Sequence, residues 1–232
     1  MKYNIISSGS IGNAMILEDT ILIDCGVSFT KLKDFYKSLN LVLLTHIHSD
    51  HFNKTTIKRL AKERPTLRFG CCKWLVDELI KCGVSKKNID VYEVGKYYKY
   101  NTKLTISPVL LYHNVEQCGY RVFINGKRAI YCTDTNSVEN IEAKDYDNYF
   151  IEANFDESDI KERIKAKETL GIYCYEKDAM LNHLSKQKCD DFLLNNMGIT
   201  SKYEYMHEHV DKENIWLKGL CGVSLIKILE NT

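Results

Sequence analysis

Proline is nearly absent, at 2 of 232 residues, and no CxxC pair exists among the 9 cysteines. An odd count without such pairs argues against a zinc ribbon or a redox dithiol. Most of these cysteines are expected to be small core hydrophobes. No run of about 18 apolar residues occurs, so no membrane span is expected. The first residues, Met1-Lys2-Tyr3-Asn4-Ile5-Ile6-Ser7, carry neither the apolar stretch nor the cleavage site of a secretory leader. With free thiols, that leads to the expectation of a reducing cytoplasm. An excess of one charge is also missing. Lys plus Arg number 32 against 31 Asp plus Glu, so no global basic field announces nucleic acid, and only local patches stay open. Linkers, low-complexity tracts and solenoid repeats are absent. The apolar share of 44% and charged share of 27% are near the globular average and exclude collagen, a coiled coil or a wholly disordered chain. Residues 1–232 are therefore expected to form a single domain large enough to bury its own core.

Short apolar runs split by turn residues predict strands over Tyr3–Ser7, Ala14–Leu17, Thr20–Ile23 and Leu41–Leu44. Further strands are predicted over Thr105–Leu110, Arg121–Ile124, Ala129–Tyr131, Tyr149–Ile151, Lys202–Met206 and Val223–Leu229, with Asn125-Gly126 as a hairpin turn. Helices are predicted over Lys31–Leu39, Thr55–Ala61, Trp74–Ile80, Ser158–Thr169 and Lys188–Asn195. This mixed order points to a layered α/β architecture.

Histidine is scarce, at 7, but it is concentrated. His46-Ile47-His48-Ser49-Asp50-His51 directly follows the apolar run Leu41–Leu44. Three imidazoles and a carboxylate at the end of a strand form a dense set of metal ligands, suited to zinc and also to manganese or iron.

This HxHxDH segment resembles the signature of the metallo-β-lactamase-fold hydrolases. The likeness continues along the chain in the family's order. Ser8-Gly9-Ser10-Ile11-Gly12-Asn13 is similar to the SGSxGN loop of the small exonuclease-like branch, and Ile21–Gly26 to the strand ending in Asp-x-Gly, whose Asp24 would brace the metal loop. His113 and Asp134 match later ligands. Glu152-Ala153-Asn154 and His183-Leu184-Ser185 resemble stretches of RNase Z-like enzymes. The last ligand falls at His207 or His209, with His207 preferred because it directly follows a strand.

The resemblance implies an αββα sandwich of two mixed β-sheets. It implies two divalent ions, zinc first and manganese second. His46, His48 and His113 would hold one, Asp50, His51 and His207 the other, and Asp134 with a hydroxide would bridge them. Asp50, His183 and Glu152 are the implied catalytic residues, His183 giving a proton to the leaving oxygen and Glu152 orienting it. Ser10, Asn13 and His209 would contact substrate. Asp rather than Cys at position 134 goes, in the family, with phosphodiesterases, nucleases and several thioesterases. The expected function is a nuclease acting on DNA or RNA. A cyclic-nucleotide phosphodiesterase of the phage anti-immunity type, a thioester or other carbonyl hydrolase and a non-catalytic metal-binding protein are the rivals. The resemblance leaves room for a homodimer, which the sequence itself does not show. Two basic runs, Lys54, Lys58, Arg59, Lys62 and Lys161, Arg163, Lys165, Lys167, are read as solvated helix faces before phosphate contacts.

Overall fold

The computed structural model describes residues 1–171 and 173–208, so the strand expected over Val223–Leu229 and the candidate contact His209 lie outside the described residues. Two six-stranded sheets are stacked face to face. The first runs β1 (Tyr3–Ser7), β2 (Ala14–Leu17), β3 (Ile21–Ile23), β4 (Leu41–Leu44), β5 (Arg68–Cys72) and β6 (Ile89–Tyr92) in sequence order. β1 to β3 are antiparallel and β3 to β6 parallel. The second contains β7 (Tyr98–Lys99), β8 (Leu104–Leu110), β9 (Cys118–Ile124), β10 (Lys127–Cys132), β11 (Asn148–Glu152) and β12 (Lys202–Met206). Here β7 to β10 are antiparallel and β10 to β12 parallel. The helices are α1 (Lys54–Glu63), α2 (Val76–Lys81), α3 (Glu157–Leu170), α4 (Glu176–Asn182) and α5 (Lys186–Asn196).

Alternation along each strand builds the layers. In β4, Leu41 and Leu43 enter the core between the sheets, against Tyr120, Val122, Tyr131 and Phe150. Val42 and Leu44 face the other way, onto Ile57 and Leu60 of α1 and Leu79 of α2. In β11, Phe150 points inward, while Tyr149 and Ile151 pack under Cys189, Phe192 and Leu193 of α5. This two-sided burial explains why β4 reads as an unbroken apolar run. The result is the αββα sandwich, and the Asn125-Gly126 turn between β9 and β10 has positive φ at both residues (52° and 77°), as a two-residue hairpin of matching twist requires.

The helix expected over Lys31–Leu39 does not form. A 3-10 turn covers Phe29–Leu32 and further turns follow. Leu32 and Leu39 are still fully buried. The carbonyls of Tyr36, Lys37 and Leu39 accept from the Arg64 guanidinium instead of from a following helical turn. A tertiary donor thus replaces the helical ladder.

One close approach ties the N-terminal loop to the metal loop. A Cβ on Gly26 would lie 1.6 Å from the Asp50 carbonyl oxygen, and one on Gly12 would lie 2.6 Å from that of Gly26. Backbone bonds zip these segments, from Asn13 N–H to Asp50 O (2.6 Å) and from Gly26 N–H to Asn13 O (2.8 Å). Gly26→Ala must push the metal loop outward. It is expected to cost about 1–3 kcal/mol of stability, the usual range for overpacking, and to lower metal content. Urea unfolding with metal analysis checks this; a variant with wild-type values for both would show that the loop yields freely.

Candidate metal centre and active site

The site lies where parallel strands end. Asp24 follows β3, His46 follows β4, Asp134 follows β10, Glu152 ends β11 and His207 follows β12. Adjacent parallel strands in register deliver their last residues to one edge, where open backbone and loops can build a site. Ile23 pairs with Leu43, Cys132 with Ile151, and Glu152 with Met206.

Asp24 is the brace. Fully buried, it accepts from Thr45 N–H (3.0 Å), Thr45 Oγ1 (2.9 Å), His51 Nδ1 (2.7 Å) and Tyr131 OH (3.2 Å). Thr45 Oγ1 in turn lies 2.9 Å from His46 Nδ1. Each ring is thereby held by one nitrogen so that the other points inward, the usual arrangement for metal-binding histidine. His113 follows the same rule, with Nδ1 donating to the Asn182 carbonyl (3.1 Å) at the end of α4 and Nε2 lying 3.3 Å from His48 Nδ1. His207 is set by its backbone N–H donating to Ser8 Oγ (2.7 Å) and by Asn154, whose side-chain amide donates to the His207 carbonyl (2.8 Å).

Asp24, Asp134 and His207 have φ of 57°, 53° and 53°. Left-handed backbone is tolerated by Asp better than by most side chains, and its appearance at three site positions marks local strain held by the surroundings. The Gln117 amide donates to the Asp134 carbonyl and helps to fix that turn.

The residues expected from sequence as ligands come together. His46, His48, His113 and Asp134 place one ligand atom each within 4.8 Å of one another, and so do Asp50, His51, Asp134 and His207. Asp134 belongs to both groups. His46 Nε2, Asp134 Oδ1 and His207 Nε2 are buried without a well-formed hydrogen bond, although His207 Nε2 lies 3.1 Å from Asp134 Oδ1 and His46 Nε2 3.2 Å from Asp134 Oδ2. Buried polar atoms are rarely left so, and imidazole with carboxylate is a good donor set for divalent cations. The residues therefore fit a pair of metal ions. His183 stands beside them, its Nδ1 2.6 Å from Glu152 Oε1 and its ring stacked on His207 (centroids 5.1 Å apart, 9° between planes). Glu152 is fully buried, and its second oxygen accepts from Thr135 N–H (2.7 Å).

Two residues, Asn13 and Ser8, fall differently from their sequence reading or outside it. Ser10 is exposed and lines the cleft, as a substrate contact should. Asn13 is fully buried, its amide engaged with Gly9, Asp50 and His51 (2.8 Å to His51 Nε2), so it braces the loops from behind and does not face the cleft. Ser8, which the sequence reading gave no role, holds His207. Ser8 opens the SGSxGN-like loop, but the motif alone does not reveal its partner, and the Asn182 carbonyl carries no sequence signal because it acts by backbone.

Burial and neighbouring charges set the protonation of the site. Burial pushes His113 down to about 4. Burial also opposes charge on His207, but the neighbouring carboxylates of Asp50, Glu152 and Asp134 outweigh it and lift it to about 10. Burial would raise Asp134, yet the neighbouring histidines, His51 foremost, hold it well below the usual carboxylate range. Without metal, then, a proton on His207 faces Asp134. Its contribution is complete below the unfolded value near 6.5 and is lost as pH rises through about 10. A cation held by His207 must displace that proton. Zinc binding to the metal-free protein is expected to release protons at pH 7 and to tighten as pH rises. Calorimetry in two buffers of different ionisation enthalpy reads this directly, and binding without proton release would remove His207 from the ligand set.

The cleft above these groups holds about 380 Å³ and is lined by Ser10, His48, Asp50, His113 and His183, with Asp178 of α4. No Lys or Arg is among its described lining residues. The run after the metal loop is spent elsewhere, Lys54 on Glu78 (2.7 Å) and Arg59 over the Phe29 ring (3.9 Å) and near Glu63. Among the described residues no helix is long and apolar enough to cross a membrane.

Comparison with known proteins agrees with this geometry. The family model described as "Beta-lactamase superfamily domain" matches residues 19–171. The exodeoxyribonuclease WalJ of Streptococcus pneumoniae is 28% identical over 252 residues, covering 98% of this chain and 88% of that protein. Two solved structures share the fold at low identity. Human tRNase Z, short form, has a TM-score of 0.66 at 16% identity, covering 90% of this chain and 93% of its own. The metallo-β-lactamase fold protein YhfI of Bacillus subtilis has a TM-score of 0.65 at 16% identity, covering 93% and 89%.

Proposed function

The chain belongs to the beta-lactamase superfamily, and from that membership we propose that it is a dinuclear metal-dependent phosphodiesterase that cleaves nucleic-acid phosphodiester bonds, those of DNA first. The observation that carries this reading is the meeting of two candidate ligand groups on one shared carboxylate, Asp134, with His183, held from behind by Glu152, in the same cleft. DNA is put first because the relative matched along nearly the whole chain is an exodeoxyribonuclease.

His46, His48 and His113 would hold one ion, Asp50, His51 and His207 the other, with Asp134 between them. Zinc suits this donor set best and manganese next. Divalent ions in such a pair supply an attacking oxygen near neutral pH and countercharge for the phosphoryl oxygens. Everything else falls to the chain. Asp24, Thr45, Asn182 and Ser8 keep the ligand rings aimed. Glu152 fixes His183 through Nδ1, which leaves Nε2 directed away from Glu152 to deliver a proton to the departing oxygen. Ser10, at the cleft mouth, is placed to touch the phosphodiester.

The test joins metal analysis to a substrate panel of duplex and single-stranded DNA, RNA, cyclic mononucleotides, an aryl phosphodiester and a thioester. Two equivalents of metal with cleavage of DNA are expected. Cleavage of cyclic mononucleotides alone would overturn the DNA assignment, and of the thioester alone the phosphodiester class.

A further inference from the structure

A second cavity, of about 360 Å³, opens between α3, α4 and the loop after β11. It shares a wall with the catalytic cleft, since Asn154, Tyr175, Ala179 and Glu208 line both. Its size is within the range of small-molecule sites. Its walls differ from those of the cleft. Ala153, Ile160 and Ala179 give aliphatic surface and Tyr175 an aromatic ring. Asp156, Asp159, Glu176 and Glu208 outnumber Arg163 and Lys186. Asp156 is engaged by the Ser158 N–H and the Gln187 amide and Glu176 by Lys167 (2.6 Å), which leaves Asp159 and Glu208 to accept hydrogen bonds from the N–H groups of a neutral heteroaromatic ring.

The geometry points to a nucleoside pocket: this cavity takes the base and sugar esterified to the phosphate held in the neighbouring cleft. The inference rests on the phosphodiesterase reading above and adds the part of the substrate that is recognised. The cavity also borders the catalytic groups mechanically. The His183 N–H donates to the Ala179 carbonyl (2.9 Å), and the Asn182 carbonyl orients His113 (3.1 Å). An occupant pressing on α4 therefore bears on the proton donor and on one ligand ring, so it acts on kcat as well as on KM.

The test uses the metal-loaded protein and two esters of p-nitrophenyl phosphate, one carrying 5′-deoxyadenosyl and the other only methyl, together with direct calorimetric binding of adenosine. The nucleoside ester is expected to be preferred in kcat/KM by about tenfold or more, the range of a modest pocket contact. Ala179→Phe, which puts a ring into the cavity, is expected to erase that preference and weaken adenosine binding about tenfold, with metal content kept. Ala179→Ser is expected to keep both. Asp159→Trp fills the cavity from α3 and is read in the same way if Ala179→Phe does not fold. Unchanged preference and adenosine binding in the filled variants, or no adenosine binding by the wild type, overturns the pocket. Adenosine binding that the filled variants block, with no phosphodiester cleaved by the wild type, keeps the pocket and overturns the phosphodiesterase reading.

Discussion

Asp50→Ala is expected to lower phosphodiester cleavage by about 10³-fold or more, equivalent to roughly 4 kcal/mol of transition-state stabilisation, while the fold survives. The two effects separate because the Asp50 backbone and side chain do different work. Its carbonyl accepts from Asn13 N–H (2.6 Å) and locks the loops together, and alanine keeps that bond. Its carboxylate is partly exposed (22%), lies 3.6 Å from His51 Nε2 and from His207 Nε2, and has only a long contact to Asn13 (3.4 Å). Removing it takes one negative group from the proposed two-cation site. Metal content is expected to fall from two equivalents toward one, and the urea midpoint of the metal-free protein is expected to drop modestly, because Asp50 is one of the carboxylates that keep a proton on His207. Full activity in the variant would remove the two-ion assignment.

His183→Ala is expected to slow turnover by about 10²–10⁴-fold, the usual reach of a positioned general acid, with metal content kept. The loss should depend on the leaving group. A nucleoside alkoxide needs the proton, whereas p-nitrophenolate leaves without it, so the aryl ester should lose far less rate than DNA. Glu152→Gln should follow in the same direction but less steeply, since an amide still occupies the place beside Nδ1. Equal loss of rate with both leaving groups, accompanied by loss of metal, would make His183 a ligand. The proximity of His183 to Asp134, Glu152 and His207 makes that outcome worth measuring.

The legible parts of the chain were those where one physical pressure acts alone. β4 is buried on both faces, so its apolar run declared it, and the ligand cluster after it needed residue types found together for little else. Parallel strands ending at one edge then explain why weak matches at Asp134, Glu152 and His207 gained force from their order. Segments governed by distant partners were not legible. Lys31–Leu39 has a helical stripe, but Arg64 claims its carbonyls from across the fold. β5 was not predicted as a strand; its Gly70 is required because a Cβ there would lie 2.3 Å from the Tyr92 hydroxyl. Short α4 escaped notice although it carries the carbonyl that orients His113. Asn13 was taken for a substrate contact because its loop matches a family motif. Only the structure shows its amide turned inward.

The candidate ligands are drawn from both halves of the sandwich. His46, His48, Asp50 and His51 come from the first sheet's loop, and His113, Asp134 and His207 from the ends of strands in the second. The described cysteines are all free thiols, so no covalent rivet among them joins the halves. A pair of cations at this seam would act as a removable rivet. At free metal a thousandfold above its dissociation constant, binding adds about 4 kcal/mol to the folded state, as much as a disulfide closing a loop of roughly 50 residues. Unlike a disulfide, it would be set by metal supply and indifferent to reducing conditions. The chain's resistance to unfolding and its catalytic competence would then rise and fall together with the same ions.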